Sequence, residues 1–138
     1  RPVSARERAA AQKILGAAGA TLWLDREEDL DSITAVSGSG PAYVFYFIEA
    51  LERAAGELGL AADAAPRLAL ETFAGAVKLV AQTGESPETL RGRVTSKGGT
   101  TERALESLEA DRVKETIVRA VGAAAVRSRE LGDELGKD

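Results

Sequence analysis

Residues 42–48 carry only apolar and aromatic side chains, within a longer stretch, 41–58, whose apolar residues recur at helical spacing. A helix that is apolar all around has to be buried on every side, because none of its faces is suited to water. The segment therefore predicts a helix inside a helical bundle or in contact with a second protein chain. Within it, we expect Phe45, Tyr46 and Phe47 to belong to a core or an interface.

Most of the chain after residue 33 also has the apolar period of helices. Apolar residues make up 44% of the 138 residues and aromatic residues only 4%, while 14 residues are glycine. This balance favours closely packed helices of small residues over an aromatic-rich β-sandwich. The predicted fold class is mainly α, with helices over 41–58, 63–83 and 86–90, one through 104–108 and a last one from 111.

The first 30 residues have a different pattern. Ser4 and Glu7 have the spacing of a capping box, and we expect a helix to follow as far as Gly16. Residues 20–24, Ala-Thr-Leu-Trp-Leu, are predicted to form a short strand. A lone strand leaves its backbone groups unpaired, so we expect the rest of its sheet to lie in another chain or another segment.

Charge and composition argue against several classes of function. The net charge of −4, without a basic stripe, argues against a nucleic-acid partner. The chain has no His and no Cys, which removes imidazole and thiolate chemistry. The acidic residues between 25 and 31 match no metal-ligand spacing, so no metal site is predicted. No apolar run approaches the roughly 20 residues that cross a bilayer. Without a visible signal peptide, a cytoplasmic location is expected.

The segment 94–101, Val-Thr-Ser-Lys-Gly-Gly-Thr-Thr, combines four hydroxyl side chains with two adjacent glycines just before a helical pattern. Adjacent glycines let the backbone turn with positive φ, and the unpaired N–H groups of the following helix favour an anion. Two interpretations stay open. The segment is either a site for a small carboxylate or phosphate, or a capped turn between helices. It lacks the residue order of a P-loop, because Lys97 precedes the glycines.

Two motifs together resemble a known family. Taken alone, the first is typical of a helix break with Pro at the start of the next helix. The motifs are Ser37-Gly38-Ser39-Gly40-Pro41-Ala42-Tyr43 and Val94-Thr95-Ser96-Lys97-Gly98-Gly99-Thr100-Thr101, the second followed by Ala104-Leu105. With Arg127-Ser128-Arg129-Glu130-Leu131 near the end, they resemble the C-terminal half of pyrroline-5-carboxylate reductase over nearly the whole chain.

The resemblance implies an enzyme that reduces 1-pyrroline-5-carboxylate to L-proline with a hydride from NADPH or NADH, the last step of proline biosynthesis. It implies that residues 1–30 end a Rossmann dinucleotide-binding domain. Residues 31–138 would form a helical domain that binds the substrate and interlocks two subunits, as a homodimer or a larger oligomer. The Gly-rich cofactor loop of the family has no counterpart here, and the chain starts at Arg1 and has no Met. We therefore expect a processed, trimmed or partial chain that is inactive alone.

The resemblance also assigns the site residues. The substrate loop falls on Ser96, Gly98, Gly99, Thr100 and Thr101. Ser96 and the backbone N–H groups around Gly99 and Thr100 would hold the substrate carboxylate. The hydroxyl of Thr101, the catalytic candidate, would hydrogen-bond the ring nitrogen. Ser39 would line the nicotinamide end of the pocket.

One position departs from the family pattern, since many members have Pro where this chain has Lys97. The substitution loosens the backbone of the loop and adds a charge, but leaves the reaction class unchanged. Two alternatives stay open beside the reductase. The chain is a non-catalytic helical dimerisation module, or it belongs to a reductase of a related cyclic imine acid.

Overall fold

The computed structural model describes residues 3–136 and consists of helices joined by turns and irregular segments. The elements are α1 (Ala5–Gly16), α2 (Asp29–Ile33), a π-helical turn (Thr34–Gly38), α3 (Gly40–Glu57), α4 (Ala64–Thr83), α5 (Pro87–Arg93), α6 (Thr100–Ala110) and α7 (Val113–Leu135). The prediction of a mainly α fold is confirmed. The chain divides into two compact units, Arg1–Leu30 and Asp31–Asp138.

The first unit begins with the capping box that its sequence predicts. The Glu7 N–H donates to Ser4 Oγ at 3.3 Å, and the Ser4 N–H donates to Glu7 Oε2 at 2.8 Å. Both bonds satisfy N–H groups that have no partner inside the helix. The predicted start of α1 is therefore confirmed.

The strand predicted over residues 20–24 does not form within the described residues. The segment is held by side chains instead. The Arg8 guanidinium lies 4.5 Å from the centre of the Trp23 ring, and the Gln12 side chain hydrogen-bonds both Thr21 and Trp23. A strand is defined by the backbone of its neighbour, and no described segment of this unit offers one.

The second unit is a set of packed helices with a core of small side chains. Helix α3 packs against α4, and α7 packs against both α6 and the π-helical turn. Among the described residues the buried hydrophobic ones are Ala35, Ala65, Ala69 and Leu90. Small buried side chains let helix backbones approach closely, which agrees with the small residues that the composition favours.

The break predicted at residues 37–41 takes another form. The π-helical turn ends at Gly38, Ser39 forms a bend, and α3 begins with Gly40 and has Pro41 in its first turn. The Ser39 N–H donates to the Thr34 carbonyl at 2.8 Å, a bond over five residues that widens the last turn before the bend. The predicted break is confirmed at Ser39, although Ser37 and Gly38 before it are π-helical, and the prediction of Pro at the start of the next helix is also confirmed.

The connection between α4 and α5 has a glycine that caps the end of α4 and a serine that caps the predicted start of α5. Helix α4 ends at Thr83 and is followed by Gly84, which has a φ of 67° in the left-handed region that favours glycine. Ser86 then caps α5, where the Thr89 N–H donates to Ser86 Oγ at 3.1 Å.

The apolar segment at the start of α3 is not covered within one chain. Tyr43, Phe47 and Ile48 are half-buried, whereas Val44 is 44% exposed and Phe45 60% exposed. One side of the segment contacts its own unit and the other side faces outwards. Complete burial of this segment therefore requires material outside the described residues.

Candidate functional site

Helix α5 leads into the predicted loop and uses one of its four hydroxyls. The Thr95 Oγ1 donates to the Arg91 carbonyl at 2.6 Å, and the Thr95 N–H donates to the Gly92 carbonyl at 3.2 Å. Both bonds satisfy carbonyls at the end of the helix, which would otherwise lack partners. Thr95 is therefore a capping residue of α5, and its hydroxyl is engaged there.

Residues 96–99 form a tight turn. The Gly99 N–H donates to the Ser96 carbonyl at 3.0 Å, and Gly98 has a φ of +73°. Lys97 precedes it and does not have a positive φ. This is the pattern of a type II turn, in which the third residue has to be Gly or Asn and the second is often Pro.

Gly99 is required for a different reason from Gly98. Its backbone is extended, with a φ of −85°, so any residue could adopt the conformation. A Cβ atom there, however, would lie 2.5 Å from Ser96 Oγ and 3.0 Å from the Ser96 carbonyl oxygen. Because the second of these atoms belongs to the backbone, only glycine fits without displacing the turn.

The acidic residue Glu102 closes the loop, and sequence reasoning missed it. The Gly98 N–H donates to Glu102 Oε2 at 2.6 Å. Glu102 is the third residue of α6, three positions after the capping residue Gly99, and an acid at that position is the available sequence signal. Its charge also complements the positive end of the helix dipole.

The loop leaves a cluster of donors open at the start of α6. Within residues 3–136, the hydroxyls of Ser96, Thr100 and Thr101 have no hydrogen-bond partner, and the same holds for the N–H groups of Thr100, Thr101 and Glu102. The N–H groups of Gly98 and Gly99 are used inside the loop. The free N–H groups at a helix start, with hydroxyls beside them, can bind a small anion. Thr101 is half-buried, while Ser96 and Thr100 are exposed.

Ser39 lies at the other Ser- and Gly-rich junction, just before α3. Its side chain is half-buried, and its hydroxyl hydrogen-bonds no other described residue. The structure therefore places Ser39 at the start of a helix with a free hydroxyl, as it does Thr100. The cavities of this unit described below are not lined by Ser39.

The third segment of the resemblance, 127–131, lies on α7. Ser128 Oγ donates to Asp31 Oδ1 at 2.7 Å, which ties α7 to the residues just before the π-helical turn. The carboxylates of Glu134 and Glu130 hydrogen-bond the Arg127 guanidinium and raise its pKa. This segment is thus a structural tie to the junction that carries Ser39.

A groove of about 470 Å³ runs between helices of the second unit. Its large apolar lining residues include Phe47, Leu51, Phe73, Leu105, Leu108 and Ile117. At its edge the Glu109 carboxylate forms ion pairs with two basic side chains. Its Oε1 lies 3.0 Å from Lys114 Nζ and 3.7 Å from an Arg91 guanidinium nitrogen. The apolar lining offers few partners for a small charged ligand and suits apolar side chains, so the groove is not the candidate substrate site.

A second, shallow depression is open to solvent and polar in part. It is lined by Thr100, Arg103, Ala104, Glu106, Ser107 and Ala110, all of α6. It touches the predicted loop only through Thr100. The described residues contain no cluster of His, Cys, Asp or Glu that could hold a metal ion. No described helix is both long enough and apolar enough to cross a membrane.

Comparison with known sequences gives consistent matches. Residues 27–131 match the family described as pyrroline-5-carboxylate reductase dimerisation. The pyrroline-5-carboxylate reductase of Pseudomonas aeruginosa is 44% identical over 135 residues, which are 98% of this chain and 50% of that protein. The pyrroline-5-carboxylate reductase 2 of Bacillus subtilis is 45% identical over 112 residues, 81% of this chain and 40% of that protein. The chain spans about half the length or less of these relatives.

Solved structures with similar folds agree with these matches. The Plasmodium falciparum pyrroline carboxylate reductase with NADP bound matches with a TM-score of 0.87 and 34% identity, over 96% of this chain and 50% of that one. A pyrroline-5-carboxylate reductase from Coxiella burnetii matches with a TM-score of 0.87 and 40% identity, over 94% of this chain and 48% of that one.

Proposed function

Because the chain belongs to the pyrroline-5-carboxylate reductase family, we propose that it supplies the substrate loop and the dimer interface of an NAD(P)H-dependent reductase of 1-pyrroline-5-carboxylate. The product is L-proline, and the reaction is the last step of proline biosynthesis in the cytoplasm. One observation carries the proposal: the loop before α6 leaves three hydroxyls and three N–H groups open within the described residues. These are the donors that a small carboxylate substrate requires.

The substrate is held by positioned donors. Ser96 and the N–H group of Thr100 hold its carboxylate, and the Thr101 hydroxyl hydrogen-bonds the ring nitrogen. Gly98 and Gly99 support the site through the shape of the turn, since their own N–H groups are engaged in it. The chain has no His, and holding the reacting C=N bond in one orientation is enough for a large part of the rate enhancement.

The nicotinamide cofactor, NADPH or NADH, supplies the hydride when it is bound. Ser39 fits a place at its nicotinamide end, because its hydroxyl is half-buried and bonds no other described residue. Residues 1–30 are proposed to end the dinucleotide-binding domain, and residues 31–138 form the helical domain. Ile14 and Leu22 of the first unit are 73% and 72% exposed, which is expected where a small piece belongs to a larger apolar core.

The function is tested by Thr101→Ala in the protein as its gene encodes it, with any residues before Arg1 retained. The variant loses one transition-state hydrogen bond, so we expect kcat/KM for 1-pyrroline-5-carboxylate to fall on the order of 10- to 100-fold. Thr101→Ser keeps the hydroxyl and should retain most of the activity. Both are measured by the oxidation of NADPH in steady-state kinetics.

Thr72→Ala is the matched control, because the Thr72 hydroxyl only bonds the Leu68 carbonyl within α4. Its kinetics should equal those of the wild type. Unchanged kinetics of Thr101→Ala would refute the role of Thr101. A wild-type protein that dimerises but neither reduces the substrate nor binds proline would instead support the non-catalytic module. Faster reduction of another cyclic imine acid would favour the second alternative.

We also propose that α3 forms a contact between two copies of the chain. Val44 and Phe45 lie on the outward side of its apolar segment, and Leu51 further along is 43% exposed. Several exposed apolar side chains on one helix are expected where that helix contacts a partner. The family description, which names dimerisation, supports a second copy as the partner.

Sedimentation at micromolar concentration tests the dimer, and a monomeric wild type would contradict it. Phe45→Glu should give monomers, because it would bury an unpaired carboxylate in the interface. Arg53→Glu places the same side chain on the same helix, at a side chain that is 83% exposed, and should remain dimeric.

A further inference from the structure

The π-helical turn before α3 changes which carbonyl the Ser39 N–H contacts. In a regular α-helix, this N–H would donate to the carbonyl of Ala35, four residues earlier. In this structure it donates to the Thr34 carbonyl, five residues earlier, at 2.8 Å. The Ala35 carbonyl is thereby released from the helical pattern. Ala35 is only 1% exposed, and a buried carbonyl without a donor is costly.

Tyr43 supplies the missing donor. Its hydroxyl donates to the Ala35 carbonyl at 3.1 Å. Tyr43 lies four residues after Ser39 and Ala35 lies four residues before it. The bond therefore spans the junction between the π-helical turn and α3, with Ser39 in its middle. It stabilises the π-helical hydrogen-bond pattern, in which the Ala35 carbonyl accepts no bond from the backbone N–H of any described residue.

The other end of the turn is fixed from α7. Ser128 Oγ donates to Asp31 Oδ1 at 2.7 Å, and Arg129 lies 3.9 Å from the second oxygen of the same carboxylate. Asp31 is part of α2, directly before the π-helical turn. The turn is thus held by a side-chain hydrogen bond at its exit and by another before its entry.

We propose that Tyr43 is a positioning residue for the nicotinamide end of the site. By occupying the Ala35 carbonyl, its hydroxyl holds Ser39 in the π-helical register. Without it, the Ser39 N–H is free to return to Ala35, which rotates Ser39 by about 100°, one residue of a helix, relative to the preceding turn. The inference rests on the proposed function, because that function assigns Ser39 to the cofactor. π-Helical turns inside α-helices are found frequently at functional sites.

The test compares Tyr43→Phe with Tyr46→Phe in the protein as its gene encodes it. The two changes are chemically identical and lie on the same helix, but the Tyr46 hydroxyl bonds no other described residue and its side chain is exposed. Dissociation constants for NADPH are measured by nicotinamide fluorescence, and KM values and kcat by steady-state kinetics. Hydrogen exchange of the Ser39 N–H reports the turn without cofactor.

For Tyr43→Phe we expect the Kd and KM for NADPH to rise about 3- to 10-fold, the effect of one ordinary hydrogen bond. The KM for 1-pyrroline-5-carboxylate should stay within about twofold, because the substrate loop is held by its own local bonds. Exchange of the Ser39 N–H should accelerate. Tyr46→Phe keeps the aromatic ring on the apolar segment of α3, so it should remain dimeric and equal the wild type in all these measurements.

An unchanged Kd for NADPH in Tyr43→Phe would overturn the inference, even if exchange at Ser39 accelerated. So would a loss of kcat alone, since that indicates a smaller folded fraction. A wild type that binds NADPH but does not reduce the substrate would refute the proposed function, and the Kd comparison would still decide the role of Tyr43. A wild type that binds no nicotinamide cofactor would overturn both.

Discussion

The second unit has two Ser- and Gly-rich junctions that begin helices, and they are held in opposite ways. Each hydrogen bond of the loop before α6 joins residues at most four positions apart, such as Gly98 to Glu102. The junction before α3 depends on Tyr43, eight residues from its acceptor, and on Ser128, which is 97 residues from Asp31.

The two segments therefore differ in what determines their backbone conformation. The α6 loop has its conformation from its own residues, so it can be shaped before the rest of the unit is packed. The α3 junction has its register only when α7 and the first turns of α3 are in place. Substitutions in the loop should therefore act on the substrate alone, and those at the junction should act on stability and the cofactor together.

The largest expected effect is that of Gly99→Ala. A Cβ atom would displace Ser96, and a misplacement of about 1 Å near a reacting centre can cost on the order of 100-fold in rate. We expect kcat/KM for 1-pyrroline-5-carboxylate to fall by about that factor, with an unchanged Kd for NADPH. Gly92→Ala, at a helical position where a Cβ meets no atom within 4 Å, is the control and should be active. If Gly99→Ala weakened NADPH binding as well, the loop would not be independent of the junction.

A smaller effect is expected for Ser128→Ala, which removes the tie between α7 and Asp31. The free energy of unfolding should fall by about 1 kcal/mol, because one half-buried hydrogen bond to a carboxylate is lost. The Kd for NADPH should rise about 3- to 10-fold by the same principle. Ser128→Thr keeps the hydroxyl and should restore both quantities. Lower stability with an unchanged Kd for NADPH would show that the hydrogen bond between Ser128 and Asp31 has a purely structural role.

The smallest effect is expected for Lys97→Pro. Lys97 is the second residue of the type II turn, its N–H bonds no other described residue, and Pro is favoured at this position. The variant should raise the free energy of unfolding by about 0.4–1 kcal/mol, through lower entropy of the unfolded chain. We expect kcat/KM to stay within about twofold of the wild type. Destabilisation, measured by urea unfolding, would show that the turn has another geometry.

Local chemistry explains what could be predicted from the sequence. The box of Ser4 and Glu7, the cap at Ser86 and the glycine pair all act through neighbours within four residues. The turn of the hydroxyl-rich loop is local for the same reason, and its closing residue, Glu102, is the part that the sequence analysis does not predict.

What failed depends on distant partners. Residues 20–24 have strand composition, but no described segment pairs with their backbone. The sequence predicts a break at 37–41 but not the π-helical register before it, because the stability of that register depends on where Tyr43 and Ser128 lie after folding. No periodicity within the segment itself contains that information.

The small core of the second unit has a consequence for how the folding of the chain depends on its concentration. Three of its four buried hydrophobic residues within the described part are Ala, and an Ala side chain removes little apolar area from water. If α3 completes its burial against a second copy, folding and assembly become one concentration-dependent equilibrium. Dilution would then lower the folded fraction of this protein. Newly made chains would be vulnerable to proteolysis until they bound a second copy.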